Sequence, residues 1–134
     1  MPVKAKIRFD YKAEAEGRKF FWQKHDLMKV AKEIRERQEK LLRNLPYQGL
    51  TFEVLDPEHE VYLIPEDEKN METAYAPLEI LVEAESIEDL MPLTFKEEFR
   101  KIKVLEPNGL VLSNADVERF LFRVNEKYRS EVEL

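Results

Sequence analysis

Polar and apolar residues alternate almost from the start of this chain. Val3, Ala5, Ile7, Phe9 and Tyr11 are apolar, and Lys4, Lys6, Arg8, Asp10 and Lys12 between them are charged. Successive side chains on a strand point to opposite faces, so this period of two predicts a strand from Val3 to Tyr11 with one face on a core and one in water. After Gly17 the period lengthens. Phe20, Leu27, Ile34 and Leu41 recur every seventh residue, and Met28, Val30, Ala31, Leu42 and Leu45 broaden the stripe. That pattern predicts an amphipathic helix from about Arg18 to Leu45, ended by Pro46. On its outer face Glu33 precedes Arg37, Glu36 precedes Lys40 and Glu39 precedes Arg43 by four residues, the favourable order for such pairs. At ~1.5 Å per residue this helix is on the order of 40 Å long. A compact chain of this length is roughly 36 Å across, so the helix must cross the whole domain and needs a surface to pack on.

Beyond Gly49 the apolar runs shorten. Leu50 to Leu55 and Val61 to Ile64 flank Asp56-Pro57-Glu58-His59-Glu60, which predicts a hairpin with a polar turn. Pro65 to Pro77, acidic at its start, is expected to be a long loop, and Leu78 to Ala84 a further strand. Ser86 with Asp89 and Thr94 with Glu97 each place a hydroxyl three residues before an acid, the pattern of a helix start; short helices are expected on either side of Pro92. Ile102 to Leu105 and Leu110 to Leu112 surround Glu106-Pro107-Asn108-Gly109, which predicts a second hairpin. Ser113 and Asp116 then cap a helix whose stripe is Val117, Phe120, Leu121, Val124 and Tyr128. Together these elements predict one α+β domain over residues 1–134, a mostly antiparallel sheet of about five or six short strands with one long and one C-terminal helix packed on it.

Composition narrows the chemistry. The chain has 134 residues and no cysteine, which excludes thiol catalysis, thiolate metal sites and disulfides and fits a reducing compartment. No apolar run is long enough to span a bilayer, and the opening residues contain no apolar signal-peptide core. A cytoplasmic setting without membrane contact is therefore expected. The charged fraction of 37% with only three glycines is a balance also found in thermophile proteins. The net charge of −6 conceals a gradient: residues 1–45 hold thirteen basic against seven acidic residues, and the remaining 89 hold nine against 21. Such asymmetry marks either a polyanion-binding surface or two parts of a molecule that complement each other.

Few side chains suggest chemistry. Asp56 and His59, among the carboxylates of the Asp56 to Glu60 turn, are candidate metal ligands or proton-transfer groups, although a solvated turn is the plainer reading. His25-Asp26 resembles part of a metal-dependent phosphohydrolase signature, but the chain has only two histidines and a helix-surface residue is the plainer reading. No serine has a nucleophile-elbow context, and the glycines stand too far apart for a phosphate-binding loop. Catalytic residues are not identifiable, and no cofactor is implied. Phe20, Phe21 and Trp22 are adjacent and cannot all face one core from a helix, so a buried staple or a partner interface is expected there. Lys4, Lys6, Arg8 and Lys12 would lie in a row on the polar face of the first strand, where they could meet nucleic-acid phosphates or pair with Glu79 and Glu83 of a neighbouring strand. The leading expectation is a non-enzymatic interaction or assembly module, homo-oligomeric or bound to another protein through Phe20, Phe21 and Trp22. The alternative is a small nucleic-acid-binding protein using the basic strand face, with a metal-dependent enzyme third.

Overall fold

The structure, a computed structural model, describes residues 2–14, 24–44, 49–66 and 71–132. They form an α+β fold built on one antiparallel sheet. The elements, in chain order, are strand β1 (Val3–Glu14), helix α1 (Lys24–Asn44), strands β2 (Leu50–Leu55), β3 (Tyr62–Glu66) and β4 (Met71–Ala84), a single 3-10 turn at Ile87–Leu90, helix α2 (Met91–Thr94), strand β5 (Phe99–Glu106) and helix α3 (Asn114–Val132). None of the described helices is long and apolar enough to cross a membrane.

The two longest strands, β1 and β4, lie side by side at the centre, in register from Val3 opposite Ala84 to Glu14 opposite Thr73. Their inward residues Val3, Ala5, Ile7, Phe9, Tyr11 and Ala13 meet Ala84, Val82, Ile80, Leu78, Ala76 and Ala74, and all twelve are buried. Helix α1 crosses this face. Leu42 and Ile34 pack over the large side chains of the strands' one half, and Leu27 and Ala31 over the alanines Ala13, Ala74 and Ala76 of the other. Small residues on the strands let the helix backbone approach there. Leu41, expected in the buried stripe, is 47% exposed, because the seam runs through residues 27, 31, 34 and 42 and leaves it on the flank. Of the three expected acid-base pairs on the outer face, Glu39 and Arg43 close to 3.6 Å.

Four local expectations are corrected. The segments Leu50–Leu55 and Tyr62–Glu66 do not form a hairpin with each other. Both pair with β4, β2 along Glu79–Ala84 and β3 along Met71–Tyr75, so they succeed one another along a single edge. The expected loop from Pro65 to Pro77 is largely strand, since β4 begins at Met71. Thr94 ends a helix rather than starting one, its hydroxyl donating to the Met91 carbonyl at 2.9 Å. Leu110–Leu112 forms no strand, and among the described residues none pairs with β5 on its outer side.

Pro77 explains how a proline tolerates mid-strand. In antiparallel strands the N and C=O of one residue point to the same side. The Pro77 carbonyl faces the gap between the end of β2 and the start of β3, where it accepts a hydrogen bond from Arg35 at 3.0 Å. The missing N–H faces that same gap, so no ladder bond is lost.

Helix α3 begins as expected. The Ser113 hydroxyl accepts from the Asp116 N–H at 3.1 Å, and the Asp116 carboxylate accepts from the Ser113 N–H at 3.0 Å, a reciprocal capping box. Its packing is another matter: α3 buries none of its residues. Its charged flank holds it to the body, with Arg119 Nε 3.5 Å and Arg123 Nε 2.7 Å from the two carboxylate oxygens of Glu88 and Lys127 Nζ 6.0 Å from the centre of the Phe95 ring.

Candidate functional site

The polar face of the sheet, opposite α1, gathers a dense set of charged side chains. Alternation along β1 sends Lys4, Lys6, Arg8, Asp10 and Lys12 to this face, and β4 contributes Glu83, Glu79 and Tyr75 beside them. Strand β5 adds Lys103 opposite Lys6 and Lys101 opposite Arg8. An extra residue in β5 where Arg8 pairs with Lys101 and Phe9 with Phe99 makes a bulge at Arg100; bulges re-aim side chains, and Arg100 Nε comes to 4.0 Å from Asp10.

Asp10 is the buried centre of this face, 4% exposed. Its carboxylate accepts from Arg8 Nε at 2.9 Å and from the Tyr62 hydroxyl at 2.7 Å. The hydrogen bond to Asp10 makes the Arg8 guanidinium hold its charge more firmly than usual, against the opposing effect of burial. Burial, then the hydrogen bond to Asp10, raises the Tyr62 phenol above the ordinary tyrosine range. The Tyr62 ring stacks on Tyr75 at 5.3 Å between centroids.

Lys6, Arg8, Lys101 and Lys103 with Glu79 line an open depression of about 240 Å³. Lys6 Nζ lies 3.0 Å from Glu79, and His59 Nε2 lies 3.4 Å from the other Glu79 oxygen. The hydrogen bond from Lys6 lowers the Glu79 carboxyl below the usual range, outweighing its partial burial. Among the described residues no carboxylate lies within 4.0 Å of Lys101 or Lys103.

The sequence-derived candidates divide accordingly. Lys6 and Arg8 are brought together in the depression, whereas Lys12 pairs with Glu14 further along the strand and Lys4 stands opposite Glu83. The row is thus part paired and part extended by a strand that the sequence did not connect to it. Phe20, Phe21 and Trp22 lie outside the described residues, as does the His25 side chain. Asp56 and His59 share a turn, closed by the His59 N–H to the Asp56 carbonyl at 3.1 Å. The His59 ring turns toward Glu79 instead, and no group of three or more potential metal ligands forms among the described residues.

Three important residues were not singled out from the sequence. Lys101 and Lys103 sit on alternate positions of β5, a signal hidden because the strand order was unknown. Arg35 is 6% exposed and donates from Nη1 to the His59 carbonyl at 2.6 Å and the Pro77 carbonyl at 3.0 Å; its place four residues after Ala31 and seven before Leu42 puts it on the buried side of α1. In comparisons with protein-family models, curated proteins and solved structures, the chain matches none of them.

Proposed function

We propose that this protein is a non-enzymatic assembly module that pairs with a second copy of itself through the outward stripe of α3. One observation carries the reading: a 19-residue amphipathic helix docks by its charged flank and by Phe120, which lines a cleft with Val3, Ile87 and Leu110, and turns the rest of its apolar stripe away from the body. Val117, Leu121, Val124, Tyr128 and Val132 fall on that stripe, and each is at least 40% exposed. An apolar stripe normally faces a core, and one left outward needs a partner.

A second copy fits on grounds of area and symmetry. Five such side chains present on the order of 500 Å² of apolar surface, near the upper end for a single patch on a monomer. With a polar rim this approaches the roughly 800 Å² per partner of a standard interface. Between Val117 and Tyr128 the stripe holds no charge, so an antiparallel two-fold pairing brings apolar surface onto apolar surface along the helix. The interface expected from the sequence at Phe20, Phe21 and Trp22 lies outside the described residues, and the α3 stripe is a separate surface. The absence of cysteine supports work in a reducing, cytoplasmic setting.

Sedimentation velocity is the test. The wild-type chain should be dimeric at tens of micromolar, and Leu121→Asp should be monomeric with an unchanged far-ultraviolet circular dichroism spectrum. A strict monomer at several hundred micromolar would overturn the proposal.

A further inference from the structure

We infer that the depression between β1 and β5 is a binding site for the phosphodiester backbone of single-stranded nucleic acid. It is a separate surface from the α3 stripe and stands or falls independently of it.

The central observation is the pairing register. Lys6 stands opposite Lys103, and Arg8 opposite Lys101. Like charges directly opposite each other on neighbouring strands destabilise a sheet, and here two such pairs stand side by side. Cross-strand neighbours lie about 5 Å apart at Cβ, and alternate residues on one strand roughly 6.6 Å apart. Four cationic side chains therefore rise from the corners of a small rectangle. Among the described residues Glu79 is the one carboxylate lining the depression, and it is engaged by Lys6 and His59. Arg8, oriented by Asp10, also lines the depression. Lys101 and Lys103, with no carboxylate within 4.0 Å among the described residues, supply uncompensated charge.

The same face favours a nucleic-acid strand over a free anion. The stacked Tyr62 and Tyr75 pair lies along the sheet from the depression, joined to it through the Tyr62–Asp10–Arg8 chain of hydrogen bonds. A basic track with aromatic rings on one open sheet face is how sequence-tolerant single-strand binders divide the work, phosphates to the cations and bases to the rings. Inorganic phosphate would use only the first half of that arrangement.

The test is fluorescence anisotropy of labelled ten-nucleotide single-stranded RNA and DNA with the full chain at 50 and 200 mM salt. Neutralising three or four phosphates predicts that affinity falls about 20- to 50-fold between those salts. Lys101→Glu with Lys103→Glu should weaken binding at least tenfold while raising the melting temperature by about 2–5 °C, because both like-charge pairs become opposite-charge pairs. Lys29→Glu with Lys32→Glu, on the exposed face of α1, changes net charge equally and should leave affinity within twofold. No binding at 50 mM salt would overturn the inference. So would equal weakening by the two double variants, or displacement of the oligonucleotide by millimolar inorganic phosphate at constant ionic strength.

Discussion

Replacing Arg35 by methionine tests how the interrupted edge of β4 is closed. Strand β2 stops at the residue opposite Glu79, and β3 begins opposite Tyr75, so the Pro77 carbonyl has no strand partner on that side. Arg35 fills the gap from α1, and the same nitrogen reaches the His59 carbonyl in the connecting turn. Hydrogen bonds to a charged donor contribute about 1.5–3 kcal/mol each, and an abandoned buried acceptor costs about 1–3 kcal/mol. The two bonds share one nitrogen, and methionine removes a buried charge whose desolvation opposes folding, so the net loss is smaller than their sum. We expect Arg35→Met to lose about 2–4 kcal/mol in urea unfolding with an unchanged m-value, and to melt roughly 6–15 °C lower. Arg35→Lys should recover part of the loss, since an ammonium can donate to a carbonyl but lacks the planar fork. A methionine variant within 1 kcal/mol of wild type would refute the reasoning, showing that the desolvation of the guanidinium cancels its bonds.

Two further changes read out the polar face. Tyr62→Phe leaves the ring stack and removes the hydroxyl from Asp10, so about 1 kcal/mol should be lost. Because the folded state raises the Tyr62 pKa, its contribution is full below the ordinary tyrosine range and lost as pH rises through the folded value. The variant should therefore show a flatter alkaline limb in a stability–pH profile, and an unchanged limb would contradict the placement of the hydroxyl. Glu79→Gln acts at the opposite end of the scale. The depressed Glu79 carboxyl stabilises the fold above the usual glutamate range and loses that effect as pH falls through its folded value, so the acid limb should flatten. The same substitution removes the one carboxylate that lines the depression among the described residues and should tighten oligonucleotide binding severalfold; weaker binding would place the ligand elsewhere.

How far the sequence revealed this molecule depends on which interactions are local. The alternation of β1, the long helix and the Ser113–Asp116 cap are each written in neighbouring residues, and all three are present, the helix over Lys24–Asn44, with the rest of its expected span outside the described residues. Pairing partners are not local. Leu50–Leu55 and Tyr62–Glu66 look like a hairpin because two short apolar runs flank a turn, yet a 14-residue β4 can hold both along one edge. Pro77 concealed the length of that strand, since proline mid-strand is acceptable only where its missing N–H faces a gap, and the gap exists only in three dimensions. Helix α3 shows the same limit from the other side. Its stripe was legible, but which surface the stripe faces was not, and salt bridges from Arg119 and Arg123 to Glu88 turn it away from the core.

The charge gradient along the chain changes meaning once the strands are paired. Counted linearly, the basic part ends near residue 45 and the acidic part follows. The sheet mixes them: β4, from the acidic part, lays Glu79 and Glu83 beside β1 and pairs Lys6. Were that all, the basic row would be internally compensated and nucleic acid would have nothing to meet. Strand β5 also comes from the acidic part, yet brings Lys101 and Lys103 to the other side of β1. One flank of β1 is thus neutralised, while on the other β5 sets Glu106 opposite Lys4 but doubles the positive charge at Lys6 and Arg8, so the positive surface is narrower than the linear gradient suggests and more concentrated. A sheet gains nothing in stability from Lys6 opposite Lys103 and Arg8 opposite Lys101. If reversing Lys101 and Lys103 makes the protein more stable and abolishes binding, those pairs are there for a ligand.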